Sequence, residues 1–233
     1  MKSFIYIAVA TLSLAGLAGA AEIDWNFGSG SVGTLSPTSG VPIANLTVSD
    51  FSRANGGPND TQANIIDSGS NSAGAYAGAS GDNNAQAIAV AAPLDITNST
   101  YFSFTLTPTN GNIVTVTGFT FGSRSSTGGP TLISIRSSLD NYATNIASAN
   151  VIADANWALL SPVTLATSSG LDTPITFRIY GTDGGNGNAV NWRIDDFRVT
   201  VNVGPVPEPS TWAMLFIGAG ALVAFRRLTT RHQ

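Results

Sequence analysis

Apolar and polar positions alternate with a period of two through most of the chain. In "EIDWNF", Ile23, Trp25 and Phe27 fall on one side and Glu22, Asp24 and Asn26 on the other. "YFSFTLTP" sets Phe102, Phe104 and Leu106 against Tyr101, Ser103 and Thr105, then breaks at Pro108 and Asn110-Gly111. "NIVTVTGFTFGS" carries Val114 and Val116 in one phase and Phe119 and Phe121 in the other, with Gly118 at the shift. "LISIRSS", "PVTLAT", "PITFRIYG" and "AVNWRIDDFRVTVNV" continue the series at a spacing of about ten residues, separated by Gly, Pro, Asn and Ser. No window of the body holds a 3.6-residue period with helix caps, and "NYATNIASANVI" comes nearest. The pattern predicts an all-β fold: one antiparallel two-sheet sandwich of jelly-roll type with about ten strands, over residues 22–203. Residues 54–86, rich in Gly, Ala, Asn and Ser, read as a long loop region holding two short strands.

The two ends break the alternation. "MKSFIYIAVATLSLAGLAGAAE" has a basic start at Lys2, an apolar run over residues 4–17 and an A-x-A pattern at Ala18-Gly19-Ala20. This is the layout of a secretory signal peptide over residues 1–21, cleaved near Ala20 or Ala21. At the other end, residues 204–210 form a Pro-rich linker, and residues 211–225 carry no charge. As a helix the latter would be about 22 Å long, short against a hydrocarbon core of about 30 Å. Arg226 and Arg227 can extend it by snorkelling, and the basic tail 226–233 would remain cytoplasmic by the positive-inside bias. The expectation is an exported body, held by a C-terminal transmembrane helix.

Val206, Pro207, Glu208, Pro209 and Ser210, followed by the apolar segment and Arg226-Arg227, resemble the PEP-CTERM sorting signal of bacterial exported proteins. The resemblance covers about residues 205–228. It implies transit tethered to the inner membrane, processing by an exosortase-type enzyme near the motif, and delivery to the cell surface or extracellular matrix of a Gram-negative bacterium. Proteins with this tail typically accompany exopolysaccharide production, so exopolysaccharide is the expected partner. The same tail also carries the label of an ice-binding protein C-terminal segment, a label that describes the tail and not the body. "AYAGASGDNNA", "GGPTLISIRSSLDNYATNIA" and "NWRIDDFRVTV" are similar to blocks of exported β-sandwich surface proteins, and that likeness brings no catalytic residues with it.

Composition then narrows the chemistry. The chain has no Cys and its one His lies in the tail, so a thiol nucleophile, a thiolate metal site and a Ser-His-Asp triad in the body are excluded. The body holds six Arg against thirteen acids, twelve of them Asp, a net charge near −7. Nucleic acid is therefore not an expected partner.

The remaining motifs are few. "GSGSVG" fits G-x-G-x-x-G, but "TLSPTSGVP" follows where a helix should begin, so the dinucleotide reading fails. "DGGNGNAVNW" holds a single unit like a calcium-binding nonapeptide and reads as a hairpin loop. In "WRIDDFRVTV" the apolar phase changes at Asp195-Asp196, the signature of a β-bulge. One expectation is that Asp195, Asp196 and Asp24 hold a structural calcium; the other is that the Asp pair caps a turn or pairs with Arg193 or Arg198. Trp25, Trp157 and Trp192 are expected in the core; exposed beside Tyr76, Tyr142 or Tyr180, one of them would form a platform for a sugar ring. The sequence thus predicts a non-enzymatic surface or matrix protein, structural or carbohydrate-binding. The alternative is a secreted polysaccharide hydrolase using Asp carboxylates.

Overall fold

The computed structural model describes residues 19–29, 32–54, 65–66, 75–90, 93–183 and 189–205. The expected signal peptide up to residue 18, the Pro-Glu-Pro motif, the apolar segment 211–225 and the basic tail lie outside these residues. Among the described residues no helix is long and apolar enough to cross a membrane.

The strands in chain order are β1 (Ala21–Trp25), β2 (Gly28–Ser29), β3 (Val32–Gly33), β4 (Leu46–Val48), β5 (Ser52–Ala54), β6 (Ile65–Ile66), β7 (Asn84–Val90), β8 (Tyr101–Pro108) and β9 (Asn112–Ser125). After them come β10 (Leu132–Ser137), β11 (Ala147–Asn150), β12 (Trp157–Leu160), β13 (Val163–Thr164), β14 (Thr167–Ser168), β15 (Ile175–Thr182) and β16 (Ala189–Pro205). A 3-10 turn, Ser138–Asp140, interrupts the series. Among the described residues, period-two patterning has produced two seven-stranded antiparallel sheets and a small two-stranded one.

The first sheet runs β12-β9-β16-β7-β6, with β1 also paired to β16 and β14 to β9. The second runs β13-β11-β10-β15-β8-β4, with β5 also on β8. The strands exceed the expected ten because several long edges are covered by two short pieces each. The inward positions of both sheets meet in one core. Trp25, Phe121, Trp192, Phe197 and Val199 come from the first sheet, and Phe102, Phe104, Ile135, Phe177 and Ile179 from the second. The rings interlock: Trp25 lies 4.9 Å from Phe104, and Phe102 lies 4.9 Å from Trp192, centroid to centroid. Each ring buried there contributes about 1.5–3 kcal/mol, which sets the scale of the core.

Both phase changes seen in the sequence are register shifts in the β9–β16 pair. One lies between Thr200 and Val201, opposite Gly118 and Val116, where β9 has an extra residue. The other lies between Asp195 and Arg198 on β16, where Asp196 takes a φ of 44°. The bulge lets Ile194 and Phe197 both point inward while the aspartates leave the core. "GSGSVG" supplies the two-strand β2–β3 hairpin.

Candidate functional site

The outward positions of the second sheet are polar and aromatic. Along β15, Ile175, Phe177 and Ile179 face in, so Thr176, Arg178 and Tyr180 alternate onto the outer face. Register then places Tyr101 opposite Tyr180, Ser103 and Arg136 opposite Arg178, and Ser134 opposite Tyr180 on the other side. Tyr142 reaches this face from the loop after the 3-10 turn. Its amide donates to Ser137 O at 2.9 Å, and Asn141 and Tyr142 both adopt left-handed backbone, at φ 56° and 61°. A tyrosine held at positive φ is uncommon and marks a position fixed by its surroundings.

What fixes it is visible. Arg136 donates through Nη1 to Tyr142 O at 2.9 Å and through Nε to Asn145 Oδ1 at 2.7 Å. Asp140 accepts from the Thr144 hydroxyl and from the amides of Thr144 and Ala143, and that bonding holds its carboxyl below the usual carboxylate range. The guanidinium of Arg178 stacks on two rings, 3.8 Å from the Tyr142 centroid and 4.3 Å from that of Tyr101. Its Nη1 donates to Tyr180 Oη at 3.3 Å, and the Tyr101 and Tyr180 rings are 5.3 Å apart. Each cation–π contact is worth about 0.5–2 kcal/mol. Tyr101, Arg178, Arg136 and Tyr142 are half-buried, so this cluster meets solvent on one side. Aromatic faces bordered by fixed donors can stack a sugar ring and read its substituents.

The residues singled out in the sequence gather on the outer face of the other sheet. Asp195 and Asp196 are 0% and 2% exposed at the bulge. The Tyr76 hydroxyl donates to Asp196 Oδ2 at 2.7 Å, and Asp195 Oδ2 lies 2.9 Å from the same phenol oxygen. Ser80 bonds Asp196 through its amide, at 2.8 Å, and through its hydroxyl. Arg198 sits 3.6 Å from Asp24 Oδ1 and 3.8 Å from Asp196 Oδ1. A phenol has one proton to give, so the Tyr76 hydroxyl is shared between the two carboxylates, a crowding that a proton on Asp195 would relieve. Burial, with the neighbouring Asp196 charge, indeed pushes the Asp195 carboxyl up to about 8. Burial also raises Asp24 to about 6, against the pull of Arg198, and drives the Tyr76 phenol far above its ordinary value.

Structure therefore brings Asp24, Asp195 and Asp196 onto one face, with Arg198 and Tyr76 between their carboxylates. Among the described residues no group of three or more acids or histidines is arranged to hold a metal ion. Trp25 and Trp192 are core residues, as expected. Trp157 is not: it lies opposite Arg124 on the edge strand β12, half-buried, with its ring 5.9 Å from Tyr76 and tilted by 36°. Sequence reasoning passed over Arg178, Arg136 and Tyr101 altogether. The available signal was the outward Arg-x-Tyr of "TFRIYG", which gains meaning only once β8 and β10 flank it.

Residues 205–228 match the PEP-CTERM protein-sorting motif, a span that includes Val206 to Ser210 and Arg226-Arg227. The chain therefore carries a signal for export, membrane-associated sorting and exosortase processing. No curated protein matches the chain in sequence. Among solved structures, one similar chain is a glycoside hydrolase family 43 arabinoxylan arabinofuranohydrolase from Bacillus subtilis, at 17% identity and a TM-score of 0.26. That likeness covers 50% of this chain and 24% of the enzyme, so this chain spans about a quarter of its length. The family 11 carbohydrate-binding module of a Clostridium thermocellum cellulase is similar at 9% identity and a TM-score of 0.30, over 68% of this chain and 88% of the module. The K1 cleaved adhesin domain of Lys-gingipain from Porphyromonas gingivalis is similar at 11% identity and a TM-score of 0.31, over 81% and 99%.

Proposed function

We propose that this is a non-enzymatic surface or matrix protein whose jelly-roll-type body binds carbohydrate on the outer face of its second sheet. A signal peptide over residues 1–21 starts export. The segment 211–225 tethers the chain to the inner membrane until the Pro207-Glu208-Pro209 motif is processed. The observation that carries the binding reading is the Arg178 guanidinium stacked on both Tyr101 and Tyr142, with both rings at the solvent boundary. Such a cluster offers pre-formed aromatic surface at little further ordering cost.

The burial of the carboxylates supports binding over hydrolysis. Glycoside cleavage needs an acid and a carboxylate on either side of an accessible bond. Asp195 and Asp196 lie side by side, but both are sealed beneath Tyr76 and Ser80.

Titration of the protein with the host exopolysaccharide is expected to saturate, and Tyr142→Ala to weaken binding about tenfold, the loss of roughly 1.4 kcal/mol of stacking. Undiminished affinity in both Tyr142→Ala and Tyr101→Ala would sink the assignment of this face. For sorting, Glu208→Ala is expected to leave the protein in the membrane fraction of the native host, and normal release would refute that step.

A further inference from the structure

We infer that the sugar recognised at this face is acidic, its carboxylate lying in the plane of the Arg178 guanidinium; this rests on the carbohydrate reading above and names its substrate class. Arg178 and Arg136 occupy directly opposed positions on β15 and β10. Like charges placed so are destabilising in a sheet unless something offsets them. Neither arginine makes an ion pair among the described residues, in a chain whose acids outnumber its bases. The nearby carboxylate of Asp140 is taken up by the amides of Ala143 and Thr144.

The geometry selects the ligand group. With the Tyr101 and Tyr142 rings both stacked close on it, the Arg178 guanidinium keeps its edge as the direction from which a ligand group can reach its donors. Of its five in-plane donors, one hydrogen is directed to Tyr180. An edge-on guanidinium fork matches a planar carboxylate through two parallel hydrogen bonds, which a hydroxyl cannot reproduce. Arg136 has given two of its donors to Tyr142 O and Asn145, so it acts as a positioning residue for the Tyr142 loop and as a second positive charge. A uronic-acid residue satisfies all of these features: its ring stacks beside a tyrosine and its carboxylate meets the fork.

The test is calorimetric titration of the full chain in detergent with polygalacturonate, with the same polymer fully methyl-esterified, and with dextran sulfate, all in EDTA. Polygalacturonate is expected to bind at least tenfold more tightly than its ester, and to weaken as salt rises while the ester does not. Arg178→Gln and Arg178→Lys should both remove the preference, Lys because it keeps the charge and loses the fork; unchanged melting temperatures separate this from misfolding. Should either variant melt early, the wild-type comparison of the acid polymer with its ester still decides the acid preference. Equal binding of acid and ester would overturn the acidic-sugar inference and leave carbohydrate binding standing. Dextran sulfate binding as tightly as polygalacturonate would overturn carboxylate recognition in favour of charge alone. Binding of none of the three, nor of the host exopolysaccharide, would overturn both readings.

Discussion

Asp195 should make the protein less stable as pH rises through neutrality, the reverse of an ordinary paired carboxylate. Its side chain is fully buried, and its value rises from 3.8 to about 8 through burial and the adjacent Asp196 charge. Because the folded-state value lies above the unfolded one, the folded protein keeps a proton that the unfolded chain has released. That contribution is complete below about pH 4 and is lost as pH climbs through about 8, at a limiting slope of about 1.4 kcal/mol per pH unit. Asp24, raised to about 6, adds a second proton in the lower part of this range. The window from pH 6.5 to 8 isolates Asp195. With half-titration at its upper end, the loss there is about 1.6 kcal/mol. Urea unfolding followed by tryptophan fluorescence can measure it, since Trp25 and Trp192 are both buried. Asp195→Asn preserves the shape and the hydrogen-bond donor of the protonated acid, so the variant should lack this slope. If it loses stability across the window at the wild-type rate, the proton belongs elsewhere and the shared-phenol argument fails.

Three further outcomes follow from the packing. A Cβ on Gly122 would lie 2.3 Å from Tyr76 Cζ, so Gly122→Ala should displace the ring and cost about 1–3 kcal/mol in urea unfolding; a neutral change would show that Tyr76 is not seated there. Phe197→Ala removes the ring that packs with Trp25, Phe51, Phe104, Phe119 and Phe121, and should cost about 3–5 kcal/mol in the same assay. Excess calcium should leave the melting temperature where EDTA leaves it, because Tyr76, Ser80 and Arg198 engage the Asp196 oxygens; a clear rise with calcium would show that the cluster opens to take the ion.

The sequence was most legible where one side of a strand is wet and the other dry. β8 alternates half-buried and buried along its whole length, as "YFSFTLTP" alternates polar and apolar. The bulges at Gly118 and Asp195-Asp196 were readable for the same reason: an inserted residue inverts the phase of everything after it. Trp157 was misplaced because the four-residue strand β12 is too short to set a phase, and its ring packs across the sheet edge instead of into the core. The Arg178 site was hidden for a different reason. It joins β8, β10, β15 and a left-handed turn, and only tertiary register brings Tyr101 and Tyr142 together on one guanidinium.

β16 is the last strand before the sorting motif, and it is an interior strand. It is bonded to β9 along one side and to β7 and then β1 along the other, and Pro205 still pairs with Asn112. A body tethered through residue 205 and loaded by a polymer on its other sheet would feel tension along the axis of that strand. The ladders to β9 and β1 lie across such a pull, so their hydrogen bonds share the load and must shear together instead of unzipping singly. The attachment point is therefore suited to a molecule that is tugged.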